Sequence, residues 1–259
     1  MSTLSEVAWN AALFKIAQAR LDRVDKPSSF EGLIEGISQH IEFLEAERAV
    51  LTKIGPQLGE LHRQLGSISH AFSTLPGCSE ELFLDAVAPL AFKLDEIIPS
   101  KGVHIPFLLC VNPTVVGPLQ QLGTLCYGDF RVMQILHMGR LKPWPPAEAL
   151  HSATYLLEHV AGYHLHKGQT EEGIKEWARG EGNRRLLRIE EMAMVIRLAP
   201  GFFDTMERKK FLILGSEYDG GLIQLQMYTD KPPAFLQYRG ESSMEEFTIL
   251  TAADRLEAS

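Results

Sequence analysis

His151, Tyr155, Glu158, His159, Gly162 and His166 recur at the spacing of one helical turn, and they are the richest set of proton-handling side chains in the sequence. On a helix running from Pro146 to His166 they form one stripe, with Ala153, Leu156, Leu157, Val160 and Tyr163 on the other side. Such a stripe could wall a cleft. Glu158 would orient an imidazole, Tyr155 would supply a hydroxyl and His159 would act as acid or base, so Tyr155, Glu158 and His159 are the candidate catalytic residues. The same spacing excludes a metal centre built from this stripe alone. His151 and His159 would be about 12 Å apart along the axis, and no His-Glu-x-x-His pair is present.

A second cluster is cationic. Arg184, Arg185 and Arg188 follow a turn at Gly180 to Asn183 and, in the outline of a helix-turn-helix, could face phosphates or base edges. Glu171, Glu172, Glu176, Glu181, Glu190 and Glu191 surround them, which fits a helix laced with ion pairs equally well. Arg131 with His137 and Arg63 with His70 have spacings that could place a guanidinium and an imidazole on one phosphate, a pattern that composition alone produces.

The remaining motifs of chemistry are missing. There is no glycine-rich dinucleotide or phosphate loop, no Cys-x-x-Cys and no Gly-x-Ser-x-Gly, so no cofactor or metal is expected. A net charge of -8 disfavours a broad grip on nucleic acid. Three cysteines, an odd number, fit reduced thiols and a cytoplasmic location better than a disulfide framework. The first twenty residues lack the pattern of a signal peptide, and no run approaches the roughly 20 apolar residues of a membrane span.

The elements that must hold these residues read as mainly helical over the first 200 positions. The strongest pattern is a heptad-like seam of Leu51, Ile54, Leu58, Leu61, Leu65, Ile68, Phe72 and Leu75, which predicts a long helix from Ser29 to Leu75, kinked near Gly55 and Pro56. Gly59 and Gly66 beside the seam suggest close approach of a neighbouring backbone. Helices are also expected over Ser2 to Arg23, from Ser79, over Glu171 to Arg179 and over Arg184 to Leu198, with buried irregular structure and short helices between Pro99 and Pro146. Near residue 210 the period becomes two-fold, and Phe211 to Leu214, Leu222 to Tyr228, Ala234 to Tyr238 and Phe247 to Leu250 read as four strands.

The expected architecture is therefore α+β: a helical segment over 1–76, a helical body over 77–200 and a small antiparallel sheet over 201–259. With no catalytic signature, the expected role is protein–protein interaction or self-association, in the manner of an adaptor, chaperone, assembly subunit or effector. Leu51, Leu58, Leu61, Leu65, Ile68 and Phe72 would be the binding surface. A ligand-binding protein or enzyme using the histidine stripe is the alternative, and nucleic-acid binding through Arg184, Arg185 and Arg188 a further one.

Overall fold

A computed structural model describes residues 6–21, 45, 49, 54–94, 97, 105–134, 141–143, 151–180, 184–218, 221–228, 230–238, 243–253 and 255–257. The chain divides into a helical unit within Met1–Ile98 and a sheet unit, Pro99–Glu257. No described helix is long and apolar enough to cross a membrane.

In the helical unit, α1 (Glu6–Leu21) and α2 (Gly55–Phe72) both pack on α3 (Glu80–Ala91). Trp9 of α1 is buried and stacks on His62 of α2, ring centroids 5.5 Å apart. Ser79 caps α3 by accepting a hydrogen bond from the Leu82 N–H at 3.0 Å, and Glu80 and Glu81 occupy the first turn, where the helix dipole favours acids. Among the described residues the long kinked, coiled-coil-like helix is not present. A separate helix begins at Gly55 with Pro56 in its first turn, because a proline ring is accommodated where no intrahelical donor is required and disrupts the ladder further in. The part of the expected helix before Ile54 lies outside the described residues except for Glu45 and Ala49.

Gly59 and Gly66 serve no close approach that the structure describes. A Cβ built at either would meet no described atom within 4 Å. Each Gly→Ala substitution is therefore expected to stabilise α2 by about 0.5–1 kcal/mol through helix propensity, read as a raised urea midpoint of the helical unit. Destabilisation by either would show that the glycine is needed for packing.

The sheet unit overturns the expectation of a helical body with a small terminal sheet. Among the described residues ten strands form one mixed sheet in the order β1-β6-β11-β8-β9-β10-β4, with β12 paired to β6, β5 to β8 and β7 to β11. The strands are β1 (Ile105–Val111), β4 (Met133–Gln134), β5 (Leu141–Pro143), β6 (Thr154–His164), β7 (Arg185–Leu186), β8 (Lys210–Tyr218), β9 (Gly221–Gln226), β10 (Ala234–Gln237), β11 (Phe247–Ala252) and β12 (Arg255–Glu257). A separate two-stranded ribbon joins β2 (Cys126–Tyr127) to β3 (Phe130–Arg131). The β11–β8 and β10–β4 pairs are parallel. The described α-helices of the unit are α4 (Pro118–Gly123), α5 (Glu171–Arg179), α6 (Ile189–Leu198) and α7 (Phe202–Thr205).

The largest correction is the segment carrying the histidine stripe, which is the eleven-residue strand β6 and not a helix. Thr154, Tyr155, Leu156 and Leu157 are all buried, so both faces of the strand are covered and the apolar–polar alternation that marks a half-exposed strand disappears. β1 was expected as irregular structure for the same reason: every residue but Pro106 is buried. The segment Arg184 to Leu198 divides into the short strand β7 and helix α6, with Arg188 as its N-cap. Helix α5 follows the expected bounds, capped by Thr170 through its hydroxyl on the Gly173 N–H at 3.1 Å. The four expected C-terminal strands are present, but they join β1 and β6 in one large sheet.

Close contact of backbones locks β7 in place. Gly215 of β8 donates its N–H to the Leu187 carbonyl at 3.1 Å, and the Leu187 N–H donates to the Leu250 carbonyl at the same distance. The neighbouring Ser216 accepts the Ile189 N–H at 3.0 Å. The stretch from Arg185 to Ile189 is thereby clamped between β8 and β11, and it carries the charged side chains described next.

Candidate ligand site and buried ionic cluster

Strand β6 changes its neighbour partway along one edge. Its C-terminal half pairs with β11, Ala161 facing Thr251, and its N-terminal half pairs with β12, Leu157 facing Arg255. At the junction the Ala253 N–H donates to the Glu158 carbonyl at 2.8 Å. His159 lies between these two stretches and adopts a φ of +49°, the one positive value among the described non-glycine residues. Left-handed backbone disfavours a residue with a Cβ, although histidine tolerates it better than β-branched types, and such outliers concentrate at functional sites. Its carbonyl accepts a hydrogen bond from Arg184 Nη2. Its ring Nε2 is buried and has no hydrogen-bond partner among the described residues.

Arg184 reaches this junction from the residue before β7. Its Nε donates to Thr251 Oγ1 at 2.6 Å and its Nη2 to the Thr251 carbonyl at 3.2 Å. The guanidinium carbon stands 5.7 Å from the centre of the Tyr163 ring, which meets Trp177 edge-on at 5.2 Å. Every described acceptor of Arg184 is a neutral oxygen, and partial burial holds its pKa below the ordinary arginine value.

A second cluster gathers around the fully buried Glu191 of α6. Its Oε1 accepts from the Tyr155 hydroxyl at 3.0 Å and from Arg185 Nη2 at 2.6 Å, and its Oε2 accepts the Arg188 N–H at 2.8 Å. Glu191 is the N3 residue that closes back on the N-cap, an arrangement a short apolar helix uses to satisfy its first amides. Cys110 faces Tyr155 across the β1–β6 pair. Burial, then the charge of Glu191, pushes both the Cys110 thiol and the Tyr155 phenol well above their ordinary values, so both stay neutral. Glu190, one residue before Glu191, is also buried.

Of the residues singled out from the sequence, Tyr155 joins the buried cluster, while His159 and Glu158 supply the junction. His151 and His166 are exposed, and the His164 Nδ1 pairs with Thr248 Oγ1 at 2.8 Å. The three arginines do not share one surface. Arg184 serves the junction, Arg185 binds Glu191 and Arg188 is buried. In the seam, Leu61, Leu65, Ile68 and Phe72 are fully buried, Leu58 is half-buried and Leu51 lies outside the described residues, as does His137.

Glu190, Glu191 and Cys110 were not recognised as a site. The available signal was two consecutive acids opening the apolar run Ile189 to Leu198, but that pattern also describes an exposed first turn that complements the helix dipole.

The fold and these two clusters define a chain with a helical unit followed by a mixed-sheet unit that carries a half-buried arginine site and a buried ionic network. No protein-family model, curated protein or solved structure matches this chain.

Proposed function

We propose that the sheet unit binds a small anionic ligand, a carboxylate or phosphate, where β6, β7 and β11 meet, with Arg184 as the binding cation and His159 beside it. The observation that carries this reading is the state of Arg184: a half-buried guanidinium held in place by neutral oxygens, with no carboxylate partner among the described residues. Partial removal of a cation from water without an opposing charge costs free energy, and an incoming anion offsets that cost. The left-handed His159 and its unpartnered ring nitrogen add to the reading, since strain and an unsatisfied polar atom at one place are features that a ligand can account for.

The test is calorimetric titration of the full chain with inorganic phosphate, pyrophosphate and citrate, repeated on Arg184→Gln and Arg184→Lys. Loss of a charge-assisted hydrogen bond worth about 1.5–3 kcal/mol should weaken binding roughly 10- to 150-fold in Arg184→Gln, with partial retention in Arg184→Lys. Binding by none of the three anions, or equal affinity in Arg184→Gln, would sink the proposal. His159→Gly offers a control for folding. Relief of backbone strain and the added freedom of glycine in the unfolded chain nearly cancel, so its stability is expected to stay within about 1 kcal/mol of the parent.

A further inference from the structure

Glu190 and Glu191 are adjacent, both buried, and unequally provided for. Arg185, the Tyr155 hydroxyl and the Arg188 N–H all donate to Glu191. No side chain among the described residues hydrogen-bonds the Glu190 carboxyl. Arg185 Nη1, although buried, also lacks an acceptor, so it is not directed to Glu190. Two carboxylates in such a space cannot ionise with equal ease, and the one served by no side-chain donor, only by its own backbone N–H, keeps its proton longer.

We propose that the first turn of α6 is a proton-operated latch: Glu190 seats as the neutral acid when α6 is docked on the sheet, and its ionisation loosens that turn. The groups facing it come from several elements. Within and before α6 stand Glu191 and Arg188, and from β7 comes Arg185. β1 and β6 contribute Cys110 and Tyr155, both held neutral, and Arg255 of β12 lies over the Tyr155 ring at 5.7 Å. From β8 the uncharged Ser216 accepts the N–H of the neighbouring Ile189. α4 and β2 also pack on α6, where Arg197 near its C-terminus reaches Thr124 and senses Cys126, two turns from Glu190.

Burial, reinforced by Glu191 and opposed by its own backbone N–H and the two arginines, raises the Glu190 carboxyl from 4.5 to about 7. The sign follows directly. Below about pH 4.5 both folded and unfolded chains hold the proton. Between that value and about 7 only the folded chain holds it, so stability falls as pH rises, and above 7 both forms are ionised and the dependence ends.

The experiment is hydrogen exchange of the α6 amides in the full chain at pH 6, 7 and 8, corrected for the intrinsic base-catalysed rate, in the parent and in Glu190→Gln. By linkage, protection should fall about tenfold between pH 6 and 8 in the parent and stay level in the variant. A flat parent profile, or an equal decline in Glu190→Gln, overturns the proposal. A carbon-13 titration of the Glu190 carboxyl in the unaltered protein needs no variant to fold: a midpoint near neutrality supports the latch and one in the ordinary carboxylate range ends it.

Discussion

Alanine at Glu191 should lower the unfolding free energy of the sheet unit by about 3–5 kcal/mol, the largest loss expected of any single side-chain truncation in the buried cluster. The substitution removes the acceptor of the Tyr155 hydroxyl and the Arg185 guanidinium and leaves both groups mostly withdrawn from water. It also frees the Arg188 N–H at the start of α6. An unmet donor in such surroundings costs more than its hydrogen bond contributed when made, which is why the loss exceeds the value of three ordinary hydrogen bonds. Tyr155→Phe, which removes one donor and leaves Glu191 still bound by Arg185, should cost only about 1 kcal/mol. Urea unfolding followed through β6 amide protection reports the sheet unit by itself. A loss below about 1 kcal/mol in Glu191→Ala would mean that the cluster relaxes or hydrates freely and does not hold α6 to the sheet. Removing Glu191 also removes a charge that opposes ionisation of Glu190, so the Glu190 midpoint should move down in the same variant.

Gly215→Ala is expected to cost about 3 kcal/mol, for a reason that lies in the backbone. A Cβ at this position would stand 2.5 Å from the Leu187 carbonyl oxygen and 2.6 Å from that of Leu186. Neither neighbour is a flexible side chain that could swing aside, so β7 must move away from β8 or the strand must bend, and overpacking of this kind costs 1–3 kcal/mol or more. The displacement would reach Arg185 and the start of α6, because the same stretch is held by Gly215 and Ser216. Gly215→Ala and Glu191→Ala should therefore be less than additive, and a double-mutant cycle measures the shortfall. Full additivity would show that the clamp and the ionic cluster are independent. Gly162 of β6 is a milder case: its Cβ would meet Met206 Sδ at 3.2 Å and Thr248 Cγ2 at 3.3 Å, contacts with side chains that can yield by a few tenths of an ångström.

Local signals were legible where the solvent differs between the two sides of an element. Helix α5 declares its bounds through Thr170, two acids in its first turn and a half-exposed amphipathic face. Helix α3 does so through Ser79. The strands β8 to β11 announced themselves by a two-fold period and intervening turns, and Ile223 and Leu225 are indeed buried while Gln224 and Gln226 are half-buried. β6 had no such contrast. Its buried residues fill both faces, and the histidines and Tyr155 fall at helical intervals by coincidence, so a helical stripe and a central strand fit the same letters.

The candidate site was legible as a set of residues but not as a set of partners. Tyr155, His159, Glu158, Arg184 and Arg185 were all recognised as able to do chemistry, yet they were assigned to two separate helices. In the fold Tyr155 meets Glu191 across 36 positions and Arg184 meets the Thr251 hydroxyl across 67. Such contacts arise from the order of strands, which depends on long-range pairing that no local window contains.

Local pattern specifies a charged, apolar-cored chain with a helix opened at Ser79, a helix over Glu171 to Arg179, strands after residue 210 and an apolar seam along Leu61, Leu65, Ile68 and Phe72. These follow from caps, period and composition, which act over a few residues. Long-range packing is what makes residues 105–111 and 154–164 strands of the same sheet as the C-terminal ones, buries Leu61, Leu65, Ile68 and Phe72, and buries Glu190 and Glu191 while leaving Arg184 half-exposed. The physical reason is the same throughout: burial is a property of what packs against a residue, and it reverses the meaning of a charge or of an apolar run that the chain alone leaves open.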